Sequence, residues 1–174
     1  MTSNAPSLLD YNILYPAKPP LPQWMPEGAD VEDIWDHTLP LVPPPPIPEE
    51  LRAHPRIIYG FELTTALINS YIERHGITGV PPDEDSRNRY MYALVRVTAN
   101  RLKMGFITSY YQWPRYTRAP RDGMQDLVYW SAACYGQLQI TEIPTQELIQ
   151  QYLDALDFGV VPCWQPCKWY RYRA

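Results

Sequence analysis

The sequence predicts a mainly α fold: a small bundle of about four helices with a long extended, Pro-rich N-terminal arm. Three observations predict it. Thirteen prolines fall within the first 55 residues, including the run Pro43-Pro44-Pro45-Pro46. Beyond residue 56, apolar side chains recur at helical spacing. Gly76, Gly105, Gly136 and Gly159 punctuate the chain where such helices would end. The expected organisation is an arm over 1–55, a helical domain over 56–160 and an aromatic, basic tail over 161–174. Without the arm about 120 residues remain, enough for a single core.

The arm makes no ladder of its own, because polyproline II has no internal hydrogen bonds. It carries three groups of apolar anchors. Leu8, Leu9, Tyr11, Ile13, Leu14 and Tyr15 form the first, Trp24-Met25 the second, and Val31 to Trp35 the third. Anchors on a stiff strap lose little entropy on binding, so Tyr11, Tyr15, Trp24 and Trp35 are candidate contacts to neighbouring protein chains. The proline run between the anchors and the body reads as spacer.

Residues 57–75 read as a helix, with Ile57, Phe61, Ile68, Tyr71 and Ile72 on one face and Gly76 behind it. Arg74 and His75 suit the negative end of its dipole. Residues 86–104 read as the strongest helix, capped by Asp85 or Ser86 and stopped by Gly105. Arg89, Arg96 and Lys103 recur every seven residues along it and form a basic stripe. Residues 106–121 begin extended and become a basic-aromatic loop. Residues 123–135 are read as helix, although Val128-Tyr129-Trp130 alone suits a strand. Residues 145–157 form an amphipathic helix capped by Thr145.

Charge divides the chain. Residues 1–50 hold eight acids and one base, Lys18, while residues 51–125 hold eleven bases and six acids. Either the acidic arm folds back on the basic body, or each meets a separate partner. The formal net charge of −4 argues against general nucleic-acid binding. No apolar run reaches the roughly 20 residues of a membrane span, and no secretory apolar segment opens the sequence.

Chemistry-bearing patterns are sparse. Cys163 and Cys167 could supply half of a zinc site, but Cys134, His37, His54 and His75 do not recur at paired spacing. Free thiols are therefore expected. There is no Gly-x-Ser-x-Gly elbow and no glycine-rich phosphate loop. Asp83, Glu84 and Asp85 read as a helix cap rather than as acid–base groups. The expectation is a non-enzymatic chain with no catalytic residue, metal or cofactor. Its partner-binding candidates are the four arm aromatics with Arg87, Arg89, Arg96, Lys103, Trp113, Arg115 and Arg118. Arginine interleaved with aromatics suits protein hot spots and anionic lipid headgroups, and suits nucleic acid less well here.

One stretch carries a resemblance. Val80-Pro81-Pro82-Asp83-Glu84-Asp85 runs into Arg87-Asn88-Arg89-Tyr90-Met91-Tyr92, then Val95-Arg96-Val97, and later Trp113. These residues resemble the small matrix-side subunit of the mitochondrial cytochrome bc1 complex, often called the ubiquinone-binding-protein subunit. The resemblance spans residues 80–113. It implies a non-catalytic helical accessory subunit, packed against membrane subunits of a respiratory-chain complex at the mitochondrial inner membrane, with Arg87, Arg89 and Arg96 docking. The leading expectation is such an accessory subunit, binding neighbouring subunits through its arm. The alternatives are a nucleic-acid-associated subunit, such as an organellar ribosomal protein, and a small enzyme with a site near His75 or Cys134.

Overall fold

An antiparallel sheet, not a helical bundle, organises the chain. The structure, a computed structural model, describes residues 20–105, 107–111 and 126–167. Among them are seven strands: β1 (Leu41–Val42), β2 (Ile57–Glu62), β3 (Ser109–Tyr111), β4 (Leu127–Cys134), β5 (Gln137–Leu138), β6 (Ile143–Pro144) and β7 (Cys163–Pro166). Three α-helices accompany them: α1 (Thr65–Arg74), α2 (Glu84–Arg101) and α3 (Gln146–Leu156). The main sheet runs β3-β4-β2-β7, with β5 paired to β4, while β1 pairs with β6 apart from it. The mainly α expectation is therefore corrected to a mixed α and β fold.

Two misread segments account for the difference. Residues 57–62 form the central strand β2, and the helix expected there begins only at Thr65. Ile57, Ile58, Tyr59 and Phe61 are all buried, because β2 is covered on both faces. A strand buried on both faces is a continuous apolar run, which periodicity alone cannot separate from a buried helix. Residues 127–134 form β4 rather than a helix. There the neighbour is decisive: β4 pairs with β2 along its length, from Ile57 opposite Ala133 to Glu62 opposite Leu127. The tail's first residues likewise become β7, which closes the sheet against β2.

The pairing of β2 with β4 is irregular. Tyr59 lies opposite Ser131 but Gly60 lies opposite Tyr129, which leaves Trp130 as an extra residue in β4. This bulge places Trp130 in the core, where its indole N–H donates to the Thr108 hydroxyl at 3.2 Å. Gly60 is required at this point. A Cβ there would overlap the carbonyl of Val128 and the backbone of Tyr129.

The helices cover one face of the sheet. Ile57, Tyr59, Phe61, Val128, Trp130 and Trp164 meet Ile68 and Tyr71 of α1, Met91 and Val95 of α2, and Ile149, Tyr152 and Leu156 of α3. Tyr152 buries its ring there and donates its hydroxyl to the Val95 carbonyl at 3.1 Å, joining α3 to α2. Ile58, Leu127, Ala132 and Cys167 form a smaller cluster on the other side.

Sequence signals at the helix ends hold with small shifts. Asp83, two residues ahead of the nearer expected cap Asp85, accepts the Ser86 N–H at 2.8 Å. Thr145 caps α3 by accepting the Leu148 N–H. Gly76, with φ +57°, follows α1 as expected. The stop of α2 is Lys103, not Gly105: Lys103 has φ 57°, and Met104 N–H returns to the Ala99 carbonyl at 2.8 Å.

Candidate docking surface

The described part of the arm lies on the body of its own chain. Residues 28–36 cross the C-terminal half of α2 as a strap. Arg96 holds it at three points: Nε donates to Asp33 Oδ1 at 2.7 Å, while the guanidinium nitrogens reach the carbonyls of Val31 at 2.8 Å and Ala29 at 3.4 Å. One helical turn on, Asn100 works in both directions. Its side-chain oxygen accepts the Ile34 N–H at 3.0 Å, and its side-chain nitrogen donates to the Glu32 carbonyl at 3.2 Å. The strap then forms a single antiparallel bridge, Trp35 opposite Met104, closed by Gly105 N–H to the Ile34 carbonyl at 2.9 Å. Gly105 is needed for this close approach, since a Cβ would overlap the Asn100 side-chain oxygen. Asp36 completes the seat with Lys103 at 3.6 Å, and the Thr38 hydroxyl and N–H hold the Asp36 carboxyl below its usual pKa.

The strap explains why α2 is buried almost all round at its end. Val95, Val97, Thr98, Ala99 and Asn100 are all buried. Sheet, α1 and α3 take one side of the helix, and the strap takes another. In turn the strap presents apolar side chains outward. Val31, Ile34 and Trp35 are three of the seven large apolar residues left exposed among the described ones, so the exposure is concentrated here. Beside them opens a cleft of about 350 Å³ lined by Glu27, Gly28, Val31, Ile34, Val97, Asn100 and Arg101. Glu27, Asp30 and Glu32 are exposed along the same segment and give it an acidic rim.

The candidate residues separate accordingly. Trp24 packs against the main core, with the Arg89 guanidinium 5.8 Å above its ring. Trp35 stays on the surface, 39% exposed, with the His37 ring at 4.0 Å. Arg87 donates to Asn69 of α1, and its Nε is buried with no hydrogen-bond partner among the described residues. Arg96 and Lys103 are engaged by the strap. Tyr11, Tyr15, Trp113, Arg115 and Arg118 lie outside the described residues. Of the expected basic stripe, Arg96 and Lys103 meet Asp33 and Asp36 of the same chain, while Arg89 lies over Trp24. Charge complementarity had offered this fold-back as one of two alternatives. Asn100 carried no signal in the sequence and Gly105 read only as a helix stop, because their role is to meet backbone groups of a distant segment.

Sites for chemistry are thin among the described residues. No group of three or more His, Cys, Asp and Glu could hold a metal ion. Cys134, Cys163 and Cys167 are thiols, and none is in a disulfide. The His75 ring stacks on Tyr71 at 4.2 Å and its Nε2 lies 3.0 Å from Asp157, which also pairs with Arg74. That cluster ties the end of α1 to the end of α3. Burial, with the Asp157 carboxylate nearby, raises the Tyr71 pKa above its usual value. No described helix is long and apolar enough to cross a membrane. Comparison with protein-family models, with curated proteins and with solved structures found no match.

Proposed function

We propose that this chain is a non-catalytic accessory subunit that docks on a larger protein assembly through the strap. One observation carries the reading: Val31, Ile34 and Trp35 are exposed on a segment that is itself fixed to the fold. Exposed apolar side chains gathered in one place, with polar groups around them, mark interaction sites. The strap is immobilised by Arg96 and Asn100, so little entropy remains to be lost when a partner binds. The acidic rim favours a partner with a cationic border over an anionic lipid headgroup. This turns the electrostatic expectation around, since Arg96 and Lys103 of the basic stripe are paired with Asp33 and Asp36. The most specific setting is a mitochondrial respiratory-chain complex at the inner membrane, and its support is the resemblance over residues 80–113.

The test is native electrophoresis of extracts from cells of the protein's own source that express the tagged full chain, beside the double variant Val31→Asp with Ile34→Asp. The wild type is expected to migrate in a complex far larger than 20.3 kDa. The double variant is expected to fold, because both side chains are exposed at the cleft, and to run free. A wild type that runs as a free monomer, or a double variant that stays in the complex, overturns the proposal.

A further inference from the structure

The structure assigns a second binding site: an aromatic groove at the Tyr59–Trp164 edge of the sheet that recognises polyproline II, and that the chain's own Pro43–Pro48 segment occupies in cis. We propose that this segment is a displaceable ligand, and that the partner is a proline-rich stretch of another protein. The inference stands apart from the accessory-subunit reading, which uses a different face.

The exposure pattern of the segment comes first. Pro43, Pro46 and Glu49 are exposed, whereas Pro44, Pro45, Ile47 and Pro48 are half-buried. A period of three is that of a polyproline II helix, so one edge points to water and the other two are seated. Pro48, at φ −56° and ψ 141°, has the matching backbone. The run is therefore a docked element, not the spacer its sequence suggests.

The seat has the chemistry of polyproline recognition. Such a helix makes no internal hydrogen bonds, so its carbonyls are free to be read by a donor. The Trp164 indole N–H donates to the Pro45 carbonyl at 2.9 Å. Tyr59 lies directly opposite Trp164 across β2 and β7, with ring centroids 5.7 Å apart. The Tyr59 hydroxyl is held in turn by Gln146 at the start of α3, at 3.3 Å. The Trp164 ring is thus fixed by the sheet, through β7 on β2 and its contact with Tyr59. An aromatic floor with an indole donor is how proline-rich ligands are taken by dedicated modules.

A tethered ligand has an effective concentration of about millimolar, so a ligand in trans meets a closed groove unless the arm yields. The experiment uses a fluorescein-labelled peptide of the sequence 41–50, titrated by anisotropy against the full chain and against the double variant Pro44→Asp with Pro45→Asp. The variant is expected to bind at least about tenfold more tightly than the wild type, because its groove is vacant. Adding Trp164→Phe is expected to weaken that binding roughly two- to tenfold, the share of one hydrogen bond. A peptide with alanine in place of every proline is expected not to bind. Should the double variant fail to fold, the wild type answers instead. Excess peptide then speeds hydrogen exchange at the amides of Val42 and Leu51 by displacing the arm, and the alanine peptide does not. A folded variant that ignores the peptide, or wild-type exchange indifferent to it, overturns the inference. A concentration-dependent wild-type dimer that the peptide dissociates assigns the groove to a second copy and overturns the partner class.

Discussion

At the scale of single residues, the seat of the strap depends on Asn100 more than on any charge. Arg96 and Asp33 form a partly exposed pair, and such pairs contribute modestly. Asn100 is 6% exposed and meets two backbone groups of the strap, the Ile34 N–H and the Glu32 carbonyl. Removing it leaves both without that partner at a helix flank the strap shields from water. Asn100→Ala is expected to cost about 1–3 kcal/mol, read from urea denaturation. Hydrogen exchange at Ile34 should rise in the same variant while that of α1 stays unchanged. A neighbouring residue offers the opposite sign. Lys103 ends α2 in the left-handed conformation that Gly76 adopts after α1. A side chain there strains the backbone, and its contact with Asp36 at 3.6 Å is weak and exposed. Lys103→Gly is therefore expected to stabilise the protein by about 1 kcal/mol, the cost of that conformation less the added chain entropy. A lower denaturation midpoint would show that the ion pair outweighs the strain.

At the scale of elements, the N-terminus of α2 carries a pH signature. Asp83 accepts the Ser86 N–H, and this bond lowers its carboxyl pKa from the ordinary 3.8. A carboxylate with a depressed folded pKa stabilises above the unfolded value, and the contribution is lost as pH falls through the folded one. The thermal midpoint of Asp83→Ala should thus lie below that of the wild type at pH 7, with the gap closing as pH falls below 3.8. Asp83→Asn keeps an acceptor at the cap and should differ from the wild type less at pH 7. The same element shows what the sequence makes legible. The Asp83 acid cluster, the apolar positions Tyr90 and Val97, and the basic last turn all announce a helix. In α3 the apolar face of Ile149, Tyr152, Leu153 and Leu156 does the same. Strand β2 is not legible in this way. Ile57 and Phe61 are four apart, as on a helix face, yet both point to the helices because strand neighbours two and four apart share a face. What separates the readings is Gly60, whose place is set by the approach of β4. That contact is made by residues nearly seventy positions away, beyond the reach of local periodicity.

At the scale of the whole molecule, the arm changes from appendage to cover. Charge asymmetry between arm and body was visible in the sequence, but anchor aromatics look the same whether they face another chain or their own. Trp24, Leu39, Val42, Ile47 and Leu51 are all half-buried against the main core. At about half of the 1.5–3 kcal/mol that full burial of a large apolar side chain contributes, these five supply roughly 5 kcal/mol. That matches the lower end of the stability of a domain this size, about 5–15 kcal/mol. Deleting residues 1–55 also uncovers Val97, Met104 and Trp164, which are 4%, 0% and 8% exposed in the intact fold. The deletion variant is therefore expected to lose its cooperative calorimetric transition and its near-ultraviolet circular dichroism, while keeping part of its helical signal. Such a variant cannot serve as a probe of docking, since it would fail to bind by failing to fold. If it instead melts cooperatively within a few degrees of the full chain, the arm is an independent strap after all. In that case the contacts of Arg96, Asn100 and Trp164 with it contribute nothing that the body needs.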